Sequence, residues 1–195
     1  QSIVTLTGTP DDGTIDLSSL RLLGEHNRDN VAAAALMCVA VGMRRSDIDV
    51  SCLTALPHRL QPVLENNGVT WVNDSKATNV DAAIVGIGGI DRPLIVLLGG
   101  AGKPGADYGR LQASLADNTR RVICFGDAGD DIAEALCATN VERVSTLSDA
   151  VHAAARLAEA PDVVLLSPAC ASFDEFNNFE ERGVAFAALA KEASQ

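Results

Sequence analysis

Three short polar loops hold most of the side chains in this sequence that could take part in chemistry. They are residues 73–79 (NDSKATN, loop 1), 99–103 (GGAGK, loop 2) and 167–173 (SPACASF, loop 3), each at the end of an apolar run. Together they offer two lysine ammonium groups, several hydroxyls and N–H groups at helix starts, which suits a small anionic ligand. The alternative for loop 1 is structural, because Asp74, Ser75 and Thr78 are common turn and N-cap residues. Lys103 in loop 2 and the hydroxyls of loop 3 favour the ligand site.

The glycine-rich stretch of loop 2 is not a phosphate-binding loop. That motif requires glycine where Leu97 stands and serine or threonine where Pro104 stands. We interpret these glycines as a close approach of the backbone to a ligand or to a neighbouring loop. The run at residues 86–89 (GIGG) lacks the dinucleotide fingerprint and predicts the end of a helix. No group of side chains has metal-ligand spacing, and Cys170 has no base partner in the pattern.

For the polar residues outside the three loops, a structural role is the alternative to a role in a site. Asn27 and Asn30 precede an alanine-rich apolar run, so their amides are candidate caps of the helix that follows. His58 and Arg59 follow a proline and are read either as site residues or as a polar linker. His152, flanked by alanine in a predicted helix, is expected at the surface.

The elements that must position the loops alternate between strand and helix. Apolar β-type runs occur at residues 69–72, 94–98, 122–125, 141–144 and 163–166. Helical patterns occur at residues 80–90, 108–116, 130–138, 148–159 and 174–192. This alternation predicts an open, mostly parallel, Rossmann-like α/β sheet with helices on both faces. Ligands of such sheets bind at the carboxyl ends of the strands, where the three loops lie.

The first part of the chain has a different pattern. Two alternating runs flank Asp12-Gly13, which predicts a hairpin with a tight turn there. Because two strands alone are marginally stable, we expect their sheet partners upstream of Gln1, with an independently packed hairpin as the alternative. A buried helix is predicted over residues 30–43, and Ser46 is expected to cap a shorter helix that ends near Leu56. Pro57 ends that helix, which gives predicted domains of residues 1–56 and 57–195.

Composition excludes several classes of protein. The 195 residues are 47% hydrophobic, and 15 Lys and Arg against 26 Asp and Glu give a net charge of −11, which disfavours nucleic acid and anionic membranes. The sequence contains neither a membrane-spanning run nor a signal peptide. Its cysteines form no CxxC pair and lie in apolar or small-residue surroundings, which predicts buried thiols and a cytoplasmic location. They are Cys38, Cys52, Cys124, Cys137 and Cys170.

Taken together, the motifs resemble the Mur ligase family of peptidoglycan synthesis. In family order they are GEHNxxN at residues 24–30, LPHR at 56–59, NDSKATN at 73–79, GGxGK at 99–103 and SPACASFDEFxxFExRG at 167–183. NDSKATN and SPACAS are similar to the branch that adds D-glutamate. The DNPR-type motif of relatives that add diaminopimelate or lysine does not occur, and folylpolyglutamate synthases share the plan but not these loops.

The resemblance implies a three-domain, ATP-dependent, amide-forming ligase that acts as a monomer. This chain would supply the end of the central ATPase domain and the whole C-terminal domain, with the phosphate loop, the Mg2+ ligands and a modified lysine upstream of Gln1. The enzyme would activate the carboxylate of UDP-N-acetylmuramoyl-L-alanine as an acyl phosphate, which the amine of D-glutamate attacks. The chain alone is expected to be inactive. A free-standing binding or regulatory module, or another Mur or folylpolyglutamate-type ligase, is the alternative.

The same resemblance implies two sets of site residues and no catalytic residue within this chain. The ATP set is Asn27, Asn30, His58, Arg59 and Asp74. The D-glutamate set is Lys76, Thr78, Lys103, Ser172, Phe173 and Phe179. The lysines and hydroxyls agree with the reading of the loops, since a dicarboxylate needs donors at two separate carboxylates. Ala101 stands where relatives often carry aspartate, which puts the finer shape of loop 2 in doubt.

Overall fold

A computed structural model describes residues 3–115, 118–137 and 140–194. The chain divides into two compact units, Gln1–Ala55 and Leu56–Gln195. Each unit has its own core and is described by itself.

The first unit is a hairpin packed with a helix. Strands β1 (Ile3–Leu6) and β2 (Gly13–Asp16) pair antiparallel, and helix α1 covers Glu25–Ala40. One apolar cluster joins them; its buried members are Leu6, Ile15, Leu17, Val31, Ala35, Val39 and Val50. The predicted hairpin is therefore present, and it buries its apolar face within this unit.

The turn of the hairpin and the extent of α1 differ from the prediction. Gly13 pairs with Leu6, so the connection spans residues 7–12 and Asp12-Gly13 is not its centre. The carboxylate of Asp12 instead accepts hydrogen bonds from the N–H and hydroxyl of Thr9. Helix α1 begins at Glu25 and buries one side only, since Val31, Ala35 and Val39 are buried. Leu36 and Met37, on its other side, are 42% and 64% exposed.

The predicted helix at residues 46–56 is wrong. Only a 3-10 turn forms there, over Arg45–Asp47. The Asp49 carboxylate accepts hydrogen bonds from both the N–H and the hydroxyl of Ser51, at 2.8 and 2.6 Å. Such local side-chain bonds compete with helical backbone bonds, which explains the irregular path.

The second unit is an open α/β sheet, as predicted. Its strands are β3 (Gln61–Asn66), β4 (Val69–Asn73), β5 (Leu94–Gly99), β6 (Thr119–Phe125), β7 (Val141–Arg143) and β8 (Val163–Ala169). Its helices are α2 (Val80–Gly88), α3 (Gly129–Leu136), α4 (Leu147–Leu157) and α5 (Phe179–Ala193). The strand order is β3-β4-β8-β5-β6-β7, and every pair except antiparallel β3–β4 is parallel. Strand β8, the last in sequence, therefore lies between β4 and β5.

Helices cover both faces of this sheet. Alternate strand residues such as Ile95, Leu97 and Trp71 form one apolar cluster with α4 and α5. Successive side chains of a strand point to opposite faces, so Val96 and Leu98 face the other layer, which contains α2 and α3. Burial on both faces explains why the parallel strands read as continuous apolar runs.

Three elements of the second unit differ from the prediction. Strand β3 was not predicted, because its sequence QPVLEN includes a proline and lacks apolar alternation, as edge strands do. The segment predicted as a helix over residues 108–116 forms a 3-10 helix at Tyr108–Ala113. Helix α5 begins at Phe179 and not at residue 174, because the Asn178 side chain caps it by accepting from the Glu181 N–H. The predicted ends at Ala116 and Ala138 lie outside the described residues.

The cysteine environments are mixed. Cys124 and Cys170 are buried, as predicted, and Cys38 is half-buried. Cys52 and Cys137 are exposed, so the prediction of buried thiols is wrong for these two. Within the described ranges, no helix has both the length and the apolar character needed to cross a membrane.

Candidate functional site

The structure brings the three loops to one edge of the sheet. They follow β4, β5 and β8, which are adjacent parallel strands, so their carboxyl ends meet. Loops 2 and 3 touch directly through a bridge in which the Ala101 N–H donates to the Ala171 carbonyl at 2.9 Å. This contact uses only the backbone, so alanine at position 101 does not prevent it.

Loop 1 begins with a buried carboxylate. Asp74 is 7% exposed, and its two oxygens accept from the Ser167 hydroxyl at 2.8 Å and from the Leu60 N–H at 3.2 Å. Burial raises the pKa of Asp74 to about 6, against the opposing effects of these bonds and of the positive charge of Arg59. Asp74 thereby ties loop 1 to loop 3 and to the segment that carries His58.

A buried arginine that was absent from the predicted site joins loops 1 and 3. Arg182 of α5 is fully buried, and its guanidinium donates to the hydroxyl and carbonyl of Ser75, both at 2.9 Å. It also donates to the carbonyls of Ala171 at 2.9 Å and Cys170 at 3.0 Å. Periodicity offered a signal for it, because Arg182 precedes buried Phe186 and Ala190 by one and two turns on the same stripe of α5.

The glycines of loop 2 allow it to approach its neighbours. A Cβ on Gly100, whose φ is +120°, would lie 2.3 Å from the Ala171 carbonyl oxygen and 2.8 Å from the guanidinium of Arg182. The close backbone approach predicted for these glycines is therefore an approach to a neighbouring loop. Beneath it, the Tyr108 hydroxyl lies 3.2 Å from Sγ of Cys170, and burial raises the pKa of that thiol. A buried thiol of raised pKa is not an activated nucleophile.

The residues predicted for D-glutamate are only partly in mutual contact. The Lys76 ammonium lies 3.8 Å from the centre of the Phe179 ring, a cation–π distance. Thr78 is half-buried in loop 1, and Lys103 is exposed on loop 2. On loop 3, Ser172 is 2% exposed whereas Phe173 is 73% exposed.

His58 and Arg59, from the set predicted for ATP, lie at the same edge of the sheet. The His58 ring meets the Phe179 ring edge-on at 6.0 Å, and Nδ1 of His58 is 3.1 Å from Nδ2 of Asn73. The His58 carbonyl accepts from the Lys76 N–H at 3.1 Å. These contacts argue against the linker reading of His58, whereas Arg59 is exposed.

Asn27 and Asn30 belong to the first unit. Both lie inside α1, whose N-cap is Gly24, so the reading of these amides as helix caps is wrong. Nδ2 of Asn27 donates to the Leu23 carbonyl at 2.7 Å, and Asn30 is exposed. His152 is exposed on α4, as expected, with Nδ1 at 2.8 Å from the Ser148 carbonyl oxygen.

The edge of the sheet that carries loops 1, 2 and 3 favours an anionic ligand. In the part of the chain that the structure describes, no carboxylate lies within ion-pair distance of Lys76, Lys103 or Arg59. The backbone is also strained here, since non-glycine residues His58, Leu60 and Ala169 have φ of 61°, 41° and 60°. No group of three or more potential metal ligands occurs among the described residues.

Fold and site together define a class: an open α/β domain whose cationic loops at the carboxyl ends of central strands can bind a small anion. The family profile described as "Mur ligase, glutamate ligase domain" matches residues 58–170, more than half of the chain. The chain therefore belongs to the Mur ligase family.

Curated relatives show which member of the family the chain resembles. The chain is 43% identical over 187 residues to a UDP-N-acetylmuramoylalanine--D-glutamate ligase of Haemophilus ducreyi, covering 94% of this chain and 42% of the relative. It is also 43% identical over 182 residues to the ligase of that name in Escherichia coli K12, covering 91% and 41%. The chain thus spans less than half the length of the curated relatives it matches.

Solved structures share the fold at low identity. MurF from Acinetobacter baumannii superposes with a TM-score of 0.67 at 16% identity, covering 98% of this chain and 44% of that one. MurF from Thermotoga maritima, in complex with ADP, gives 0.61 at 17% identity, covering 98% and 46%. These structures support the architecture alone.

Proposed function

We propose that this chain is the C-terminal part of a cytoplasmic, monomeric, ATP-dependent ligase that joins D-glutamate to UDP-N-acetylmuramoyl-L-alanine in peptidoglycan synthesis. The observation that carries the proposal is the junction of loops 1, 2 and 3 at one sheet edge, where Lys76 and Lys103 have no carboxylate partner among the described residues. The choice of amino acid and sugar nucleotide is supported by relatives of that name at 43% identity.

The proposed amino-acid site uses two kinds of group. D-glutamate carries two carboxylates, which the ammonium groups of Lys76 and Lys103 and the hydroxyls of Thr78 and Ser172 suit as charge-assisted donors. Aromatic rings from loop 3 and the start of α5 give the carbon chain an apolar surface. These rings are Phe173 and Phe179.

Nucleotide contacts are proposed for residues of each unit, taken separately. In the second unit, Arg59 has the geometry to bind phosphate bidentately, while His58 and Asp74 are the other contacts. In the first unit, Asn27 and Asn30 are one turn apart on α1 and so lie on the same side of that helix. We assign residues 1–56 to the end of a central ATPase domain and residues 57–195 to a C-terminal domain.

The proposed reaction needs no covalent enzyme intermediate. ATP phosphorylates the alanine carboxylate, the amine of D-glutamate attacks the acyl phosphate, an amide bond forms and phosphate leaves. This chain contributes position: it holds the amine near the acyl carbon, which converts a bimolecular step into an effectively unimolecular one. The Mg2+ ligands and the main triphosphate site are assigned to the rest of the enzyme, so the chain by itself is expected to be inactive.

The test is the kinetics of Lys103→Ala in the complete enzyme. Losing one charge-assisted hydrogen bond should raise the KM for D-glutamate by about 10- to 100-fold, with little change in the KM for ATP. Lys191→Ala is the matched control, because this exposed lysine is twelve residues beyond Phe179 in α5, about 18 Å along the helix axis. An unchanged KM for D-glutamate removes Lys103 from the site. A wild-type enzyme that uses another amino acid instead of D-glutamate contradicts the proposed function itself.

A further inference from the structure

Among the described residues of the second unit, Arg182 is the buried charged residue whose side chain makes the most hydrogen bonds. It makes four hydrogen bonds, to Ser75 Oγ, the Ser75 carbonyl and the carbonyls of Cys170 and Ala171. No carboxylate in the described ranges lies within ion-pair distance of it. Burying a cation without a direct counter-charge is unfavourable for folding, and hydrophobic side chains of similar volume are often at least as stabilising. Stability alone therefore gives a poor account of this residue.

The bonds of Arg182 continue to the proposed site residues. Ser75 Oγ accepts from Nε of Arg182 and donates its own proton to the Phe179 carbonyl at 2.8 Å. The Phe179 ring in turn lies under the Lys76 ammonium. On the other side, Arg182 holds the backbone of Cys170 and Ala171, the two residues that precede Ser172.

The planar fork of arginine suits this arrangement. Its N–H groups point in fixed directions, so one side chain sets the spacing between acceptors on two different loops. A lysine ammonium keeps the charge but offers a single donor centre, so it cannot reach all four acceptors at once. Charge and geometry can therefore be separated by substitution.

We propose that Arg182 is a positioning residue of the amino-acid site: by joining loop 1 to loop 3, it fixes Lys76, Phe179 and Ser172 at the separation that the two carboxylates of the amino acid require. This inference rests on the proposed function for the identity of the ligand. Whether Arg182 joins the two loops can be tested separately, without measuring enzyme activity.

The experiment compares four variants of the complete enzyme. Arg182→Lys keeps the positive charge and loses the planar guanidinium group, and Arg182→Met loses both. Ser75→Ala removes one acceptor together with the bond to Phe179, and Phe186→Leu is the control. Phe186 lies one turn beyond Arg182 on the same buried stripe and packs against Trp71 in the core cluster, so its truncation weakens the core and leaves the hydrogen bonds of Arg182 in place. The KM for D-glutamate, the KM for ATP and the urea midpoint are measured for each variant.

Arg182→Lys should raise the KM for D-glutamate by about 10- to 100-fold, because loops displaced by about 1 Å lose that much in productive binding. Ser75→Ala should shift the same KM in the same direction by a smaller factor, and the KM for ATP should change much less in both. Phe186→Leu should lower the urea midpoint and leave both KM values unchanged. Equal KM values in Arg182→Lys and Phe186→Leu, or a parallel rise of both KM values, would overturn the proposal.

A second measurement separates this inference from the proposed function. In amide NMR spectra of the 195-residue chain, Arg182→Lys should shift resonances in both loop 1 and loop 3, whereas Phe186→Leu should leave those loops unshifted. Shifts confined to one loop refute the joining of the two loops, whatever the enzyme ligates. Joint shifts, together with a wild-type enzyme that does not use D-glutamate, would instead retain the joining and reject the proposed substrate.

Discussion

Gly86 of α2 provides a sharp test of how the buried Asp74–Ser167 pair is held. A Cβ built on Gly86 would lie 2.5 Å from Oδ2 of Asp74 and 3.0 Å from Oγ of Ser167, and real Cβ contacts essentially never fall below 3.0 Å. In Gly86→Ala the carboxylate must therefore retreat by about 1 Å to reach an ordinary contact distance. Asp74 cannot do this while keeping its bonds to Ser167 and Leu60.

The expected change in stability is a difference between two effects. Overpacking costs about 1–3 kcal/mol, and a weakened hydrogen bond to a charged group costs about 1.5–3 kcal/mol. Replacing glycine by alanine in a helix gains about 1 kcal/mol. Because the two costs describe the same displacement and are not additive, together they amount to about 1–3 kcal/mol. The helix gain of about 1 kcal/mol offsets part of this, so Gly86→Ala should destabilise the second unit by a net amount of about 0–2 kcal/mol.

Gly88→Ala is the matched control, since it lies in the same helix and its Cβ would meet no atom within 4 Å. It should be neutral or stabilise the unit by up to about 1 kcal/mol. The assay is urea denaturation followed by the fluorescence of Trp71, the single tryptophan of the chain, which is 2% exposed in the core of the second unit. A midpoint for Gly86→Ala equal to or above that of Gly88→Ala would refute the close contact between α2 and Asp74.

Two further predictions use the same assay. Burial raises the pKa of Asp74 from 3.8 to about 6. The protonated carboxyl therefore contributes to stability below pH 4, and this contribution is lost as the pH rises through 6. In Asp74→Asn, the fall in the free energy of unfolding over this pH range should be smaller by up to about 3 kcal/mol. The same pH dependence in wild type and variant would contradict this assignment. Asn178→Ala removes the N-cap of α5 and should cost about 1 kcal/mol, whereas Asn177→Ala, next to it at the surface, should cost less than about 0.5 kcal/mol. Equal losses in the two variants would show that the cap contributes little.

Much of the second unit could be predicted from local patterns. The parallel strands are buried on both faces, so they appear as apolar runs. The polar loops that follow them mark the edge of the sheet where we propose that the ligand binds, without any knowledge of strand order. The loop motifs alone were sufficient for the family assignment, which the match at residues 58–170 confirms. Strand β3 and the start of α5 were missed, since an edge strand lacks alternation and the Asn178 cap makes the helix begin five residues later than predicted.

The sequence by itself determined the family, the alternation of strand and helix and the three loops, because each depends on residues close together in the chain. Only the tertiary structure decided that β8 lies between β4 and β5, which is what places loop 3 between loops 1 and 2. It also decided the hydrogen-bond partners of Arg182, whose acceptor Ser75 is 107 positions away in the chain. Helical periodicity can place an arginine on a buried stripe, but the acceptors that make its burial tolerable come from distant loops, and only the packed fold brings them together.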